Sequence, residues 1–101
     1  MTIAVLDTII HAPNRLRICA LLTPLQEAEF QVLRDELGVS DSVLSKHLKQ
    51  LEEAGYVAFR KGAVGGRQRM WAGLTKSGRA AFSGHVKALT QLAGVDNAPH
   101  A

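Results

Sequence analysis

Apolar residues recur along the chain at two periods, and the changes between them mark out its elements. Ile3, Leu6 and Ile10, with Val5 and Ile9 beside them, fall at helical spacing and predict a short N-terminal helix. Pro13, harmless in a first turn, opens a second helix over 13–22 that offers Leu16, Cys19, Ala20 and Leu22 to a core, and Thr23 and Pro24 end it. A brief connection containing Glu29 and Phe30 predicts one short strand. Val32, Leu33 and Leu37 then mark a third helix, stopped by Gly38. Ser40 is a good N-cap and Asp41 suits the positive end of a helix dipole, so a fourth helix runs from here to about Ala54. Gly55 supplies its left-handed terminating residue.

From Tyr56 the period becomes two. Val57 and Phe59 share one face of a strand over 56–61, and Met70, Ala72 and Leu74 share one face of a second over 67–74. The stretch 62–66, rich in glycine, is the flexible turn between them. Thr75 caps a last helix in which Phe82, Val86, Leu89 and Ala93 recur at spacings of four, three and four, a stripe that is either core or dimer seam. The predicted order is α-α-β-α-α-β-β-α: mainly α with a small β-hairpin, an α+β chain arranged as a winged helix-turn-helix. Residues 1–93 form this one domain. The tail 94–101, with Asn97 and Pro99, holds too little apolar surface to fold and is expected to be disordered.

With 101 residues, 47% of them hydrophobic, the chain has material for one core and no second domain. Cys19 is the lone cysteine, which excludes an intrachain disulfide and suits a reducing cytoplasm. No CxxC or cysteine-histidine cluster suggests a metal, no cofactor motif is present, and no run approaches the roughly 20 apolar residues of a membrane span. The net charge is only +3, but its distribution is uneven. Residues 1–45 carry three basic and six acidic side chains, whereas 46–101 carry nine basic and three acidic. The basic half begins inside the fourth helix.

On a wheel of about 100° per residue, Leu48 and Leu51 fall within about 40° of Leu44, so these three anchor the fourth helix inward. Ser42, Ser45, Lys46, Lys49 and Glu53 occupy the opposite side. A small, polar and mostly basic face of this kind suits the major groove of duplex DNA, whose base edges display a readable donor, acceptor and methyl code. Ser40, Asp41, Ser42, Val43, Ser45, Lys46 and Lys49 are the candidate contacts. Ser42, Val43 and Lys46 are assigned to bases, Val43 meeting a thymine methyl, while Ser45 and Lys49 position the backbone. Beside the glycine-rich tip stand Arg60, Lys61, Arg67, Gln68 and Arg69, in a hairpin short of acidic groups. Gly62, Gly65 and Gly66 would let this wing approach a phosphate backbone or minor groove, with Arg67 as the groove-directed side chain. The plainer readings are a solvated amphipathic helix and a mobile solubilising loop. Their adjacency in the chain favours DNA.

An enzyme is disfavoured. Ser45 and His47 stand two apart on a helix and do not face each other, and no phosphate-cradling loop or paired carboxylates accompany them. The competing class is a winged helix that mediates protein-protein assembly, which Tyr56 and Trp71 near the wing keep open, although Trp71 suits packing against the wing base. His47 is read as structural, packed beside the leucine face.

The segment VSDSVLSKHLKQLEEAGYV, followed by the hairpin and then LTKSGRAAF, and preceded by HAPNRLRICALL, resembles the compact winged helix-turn-helix transcriptional regulators of the MarR-like and ArsR-like groups. The resemblance covers about residues 3–92. It implies a bacterial-type, sequence-specific regulator of transcription on double-stranded DNA, acting as a homodimer that represses or activates, with repression the favoured reading. It also implies that N- and C-terminal helices form the dimer, which carried onto this chain gives Ile3, Leu6, Ile10, Phe82, Val86 and Leu89 as interface positions. Metal-sensing relatives carry paired cysteines or clustered histidine and carboxylate ligands, and this chain does not match them. A pair of His85 residues across a dimer is the one conceivable metal site, against a plain structural histidine. A small-molecule effector could lodge between the N-terminal helices and the dimer core, though no convergent polar cluster announces such a pocket.

Overall fold

Proline lacks an N–H and disfavours helical geometry in the residue ahead of it, so Pro13 closes off any preceding helix and opens the next one. In the computed structural model of the chain, which describes residues 5–94, Ala12 is extended and Pro13 opens α1, Pro13–Leu22. Thr23 ends it, its Oγ1 donating back to the Cys19 carbonyl at 2.7 Å. Ile18, Cys19 and Leu22 are buried, whereas Ala20, expected in the core, faces solvent. The neighbouring helices meet α1 on the Ile18 side.

The expected N-terminal helix is not formed over the described residues 5–12, which hold only a turn at 8–10; Ile3 lies outside the described residues. Asp7 supplies the reason. Its Oδ1 accepts from the backbone N–H groups of Ile9 and Ile10 at 2.9 and 3.0 Å, so a side chain serves the donors that a helix would have used. The turn tucks Ile10 fully into the core. The periodic apolar residues were real, but one capping carboxylate redirected the backbone.

β1, Ala28–Glu29, leads directly into α2, Phe30–Leu37, which ends at Gly38. The next helix, α3, spans Asp41–Glu53 and is capped as expected, with Ser40 Oγ accepting from the Val43 N–H at 3.2 Å. Leu44, Leu48 and Leu51 are its buried residues. β2, Val57–Val64, and β3, Arg67–Leu74, form an antiparallel hairpin, and β1 adds to its other side, giving the sheet order β1-β3-β2. The turn is shorter than expected. Pairing continues to Val64 and Arg67, leaving only Gly65 and Gly66, whose φ values of +57° and +78° are those of a tight primed turn that matches strand twist. Gly62 is therefore a strand residue, and a Cβ there would meet the Trp71 ring at 3.1 Å.

The final helix, α4, Lys76–Ala93, is capped by Thr75 Oγ1, which accepts from Gly78 N–H at 2.9 Å. Its buried side is Gly78, His85 and Ala88, next to partly buried Ala81 and Phe82. The predicted stripe lies toward the outside of this face, where Val86 is 39% exposed. Ile18, Leu33, Leu37, the three α3 leucines, Val57 and Ala72 share one core, the meeting point of the helices and the sheet. Among the described residues no helix is long and apolar enough to cross a membrane. The tail expected to be disordered lies, beyond Gly94, outside the described residues.

Candidate nucleic-acid interface

Burying three leucines on one side of α3 leaves its other side no choice but solvent, since 3.6 residues per turn set the two faces opposite each other. Ser42, Ser45, Lys46 and Lys49 are all exposed, and Val43 stands at the edge of this surface. Lys46 and Lys49 enter no ion pair among the described residues. Ser40 Oγ lies 3.1 Å from Ser42 Oγ, so these two hydroxyls form one polar cluster at the helix start. Asp41 is exposed but already engaged, its Oδ1 accepting from Arg34 of α2 at 2.8 Å. That pair ties the two helices of the helix-turn-helix together at their ends, and the sequence reading overlooked Arg34.

His47 sits on the flank of α3, half-buried, with Nδ1 3.3 Å from the Arg15 guanidinium of α1. Burial, together with the positive charges of Arg15 and Lys46, pushes its titration below the usual histidine range, while the Gln50 side chain works the other way. Arg15 also donates to Gln50 Oε1, fixing α3 from the side. The expected structural role of His47 thus rests on Arg15 and Gln50. No short-range sequence pattern signals a contact made 32 residues away.

The register of the hairpin divides its polar residues between two faces, because directly paired residues project to the same side. Arg60 pairs with Trp71, Gly62 with Arg69 and Val64 with Arg67, so these cations share the face turned away from the core, while Lys61 and Gln68 project to the other. The hairpin itself is short of acidic groups, as expected, but carboxylates from outside it reach two of its four cations. Arg60 Nε donates to both carboxylate oxygens of Glu27, at 3.1 and 3.0 Å, and its guanidinium lies 4.1 Å from the Trp71 ring centroid. Hydrogen bonding from Arg60 holds the Glu27 carboxyl below its ordinary range. Arg69 donates to Glu29 at 2.7 Å and to Gln31 at 3.0 Å. Two of the four wing cations are therefore neutralised by the strand β1, which the sheet order places against β3, and by the residues beside it.

Arg67 and Lys61 are exposed and make no ion pair among the described residues. Arg67 stands at the tip, immediately after the two-glycine turn. Between the wing and α3 lies an open cavity of about 280 Å³ whose lining includes Gln31, Ser45, Gln68 and Arg69. Trp71 lies at the wing base, and its ring, with the Arg60 guanidinium, would crowd a Cβ at position 62. Of the six expected interface residues, Ile10 is corrected: it is fully buried in its own core and offers nothing to a partner. Leu6, Phe82 and Leu89 are half-buried and Val86 is exposed, while exposed Val5 and Leu92 were overlooked.

Four likenesses bear on this geometry. Residues 14–93 match the winged helix DNA-binding domain family. Over 84 residues the chain is 37% identical to an uncharacterised protein of Methanocaldococcus jannaschii, covering 83% of this chain and 91% of that one. Among solved structures it is similar to a transcriptional regulator homologue from Pyrococcus horikoshii OT3, with a TM-score of 0.80, 26% identity, and 89% and 90% of the two chains covered. It is also similar to HlyU from Vibrio cholerae, with a TM-score of 0.63, 26% identity and 83% of each chain covered. The Methanocaldococcus relative is archaeal, so the likeness does not restrict the fold to bacteria.

Proposed function

The chain belongs to the winged helix DNA-binding domain family, and on that premise we propose that it is a sequence-specific regulator of transcription that lays α3 in the major groove of duplex DNA. The observation that carries this reading is the outer face of α3, where Ser42, Ser45, Lys46 and Lys49 are exposed together beside a wing whose tip presents Arg67. Ser42, Val43 and Lys46 read bases. Ser40, Ser45 and Lys49 hold phosphates, and Asp41 acts through Arg34 by fixing the helix start. Arg67 grips the backbone or minor groove, helped by Lys61 and Gln68, while Arg60 and Arg69 serve the wing itself. The likeness to a transcriptional regulator homologue in Pyrococcus supports the regulatory part. A homodimeric repressor, with Leu6, Phe82, Val86 and Leu89 toward the partner copy, completes the proposal; such a dimer would place two α3 helices about one duplex turn apart on a pseudo-palindromic site.

Binding to a duplex selected from a random-sequence pool, measured across salt concentrations, tests this. Affinity is expected to fall by roughly 0.9 log unit per log unit of salt for each phosphate engaged. Lys46→Ala is expected to change which sequences are selected, with a loss of about 1–3 kcal/mol at one base position, whereas Arg67→Ala weakens all sequences alike. Binding that ignores salt, or the reverse pattern in the two variants, would sink the assignment.

Glu27→Gln gives a separate expectation. Loss of the carboxylate frees Arg60 for a phosphate, so the salt slope should steepen by up to about 0.9. An unchanged slope in the same titration would mean that Arg60 faces away from DNA or already reaches it.

A further inference from the structure

One polar cluster lies away from the DNA face, centred on the buried His85, a side chain that neither caps a helix nor enters the interface just described. His85, on α4, is only 1% exposed, and its Nδ1 accepts from the Asp7 backbone N–H at 2.9 Å. Asp7 Oδ2 in turn accepts from the Tyr56 hydroxyl at 2.6 Å, and Tyr56 N–H bonds the Leu51 carbonyl at the end of α3. A second route runs from the same N-terminal segment to the same helix: Arg15 Nε donates to the Ile9 carbonyl while its guanidinium donates to Gln50 Oε1. The segment 5–11 is thus a strap, held on one side by α4 and on the other by the C-terminal half of α3.

The chemistry of the hold is specific. Because Nδ1 of His85 receives a hydrogen bond from a backbone N–H, that nitrogen carries no proton, and the ring is the neutral tautomer with its hydrogen on Nε2. Nε2 lies 3.4 Å from His11 Nδ1, with the two rings edge-on at a centroid separation of 5.3 Å, so His11 is the acceptor there. The same tautomer argues against a metal held between the two rings, since the nitrogen facing His11 is the one bearing hydrogen. We propose that His85 is a positioning residue for DNA binding: neutral, it locks the strap between α4 and α3, and on taking up a proton it releases the strap and weakens DNA binding. The inference rests on the DNA-binding reading above.

Protonation would set an Nδ1–H against the Asp7 N–H, donor facing donor, and would place a charge on a ring that is only 1% exposed. The ionisable groups facing the ring are His11 and Asp7. Tyr56, after α3, and Cys19, on α1, lie on the Asp7 side of the cluster. Burial, then the neighbouring His11, pushes the His85 titration down, and Asp7 opposes this in part. Burial would raise Asp7, but the Tyr56 hydroxyl, the N–H groups of Ile10 and Ile9 and the charge His85 would carry outweigh it, so its carboxyl is held below the usual range. The direction of the pH effect is therefore set. A histidine whose titration is lowered by the closed strap favours closure fully above the ordinary value near 6.5, and closure weakens by up to about tenfold per pH unit from there down to the lowered value, below which it changes no further.

This sign is opposite to the generic one. Protonating an exposed histidine, or His47 on α3, adds positive charge and tightens binding to a polyanion. Affinity for the selected duplex is measured at constant ionic strength at about pH 7.5 and about pH 5.5, with circular dichroism reporting the fold at each. The expected result is a loss of about three- to tenfold in affinity at the lower pH by a protein that remains folded. In His85→Asn, whose side-chain carbonyl keeps an acceptor near Nδ1 but does not titrate, affinity is expected to hold or rise. Tyr56→Phe, which leaves His85 in place but cuts the link to α3, is expected to bind more weakly at the higher pH and to lose most of the drop. Affinity that stays level or tightens on acidification overturns the inference, as does a drop that follows global unfolding or survives in both variants. Absence of DNA binding at the higher pH overturns the DNA-binding reading itself.

Discussion

Gly78→Ala is expected to destabilise the protein by about 3 kcal/mol, the upper end of what overpacking usually does. On helix propensity alone the change would stabilise by about 1 kcal/mol, so the two effects have opposite signs and geometry decides between them. A Cβ at Gly78 would run into the carbonyl oxygen of Tyr56, a backbone atom with little room to move. That carbonyl accepts from Thr75 N–H at 3.0 Å, and Tyr56 N–H bonds Leu51 at 2.9 Å, so any retreat breaks the junction joining α3, β2 and α4. Gly84 is the internal control. It lies on the same helix with nothing within 4 Å of a Cβ, and Gly84→Ala is expected to stabilise by about 0.5–1 kcal/mol. Urea denaturation of the two variants checks both signs, and a Gly78→Ala protein as stable as its parent would show that the close approach is not there.

Leu51→Ala is expected to remove about 2–5 kcal/mol by leaving a cavity where α3 meets the core, since Leu51 is fully buried. For a domain this small that is a large part of the whole stability, typically about 5–15 kcal/mol. DNA binding would be lost with it through unfolding. Lys46→Ala, five residues earlier on the exposed side of the same helix, is expected to leave thermal unfolding within about 0.5 kcal/mol of the parent while altering sequence choice. The two variants thus separate the buried face of the helix from the face proposed to read DNA. A Leu51→Ala protein that unfolds like the parent would contradict the burial, and a Lys46→Ala protein that unfolds early would contradict the division.

The local elements were legible where local physics decides them. Ser40 and Thr75 cap their helices through side-chain acceptors, Pro13 and Gly38 mark helix ends, and three leucines at helical spacing turn one face of α3 inward. The departures arise where a contact distant in sequence outbids a nearby pattern. The apolar run near Ile10 has helical spacing, yet the Asp7 carboxylate takes over its backbone donors, held in place by Tyr56 and backed by His85. Gly62 reads as turn chemistry, yet it lies in the strand, where an indole ring stands close to the place a Cβ would take.

What the sequence by itself determined about this protein is its order of elements from Pro13 onward, the inward and outward faces of α3, and the winged helix that these compose. Periodicity, capping and turn chemistry act over a few residues, and a single sequence displays them directly. Only the tertiary structure decided which charges remain available and what holds the helices in register. Glu27 and Glu29 lie far from the wing in the chain, and it is the pairing of β1 with β3 that brings them onto Arg60 and Arg69, leaving Arg67 and Lys61 as the unpaired wing cations among the described residues. The hydrogen bond that joins His85 to Asp7 of the strap spans 78 positions. Such contacts depend on where whole elements come to rest, and packing sets that.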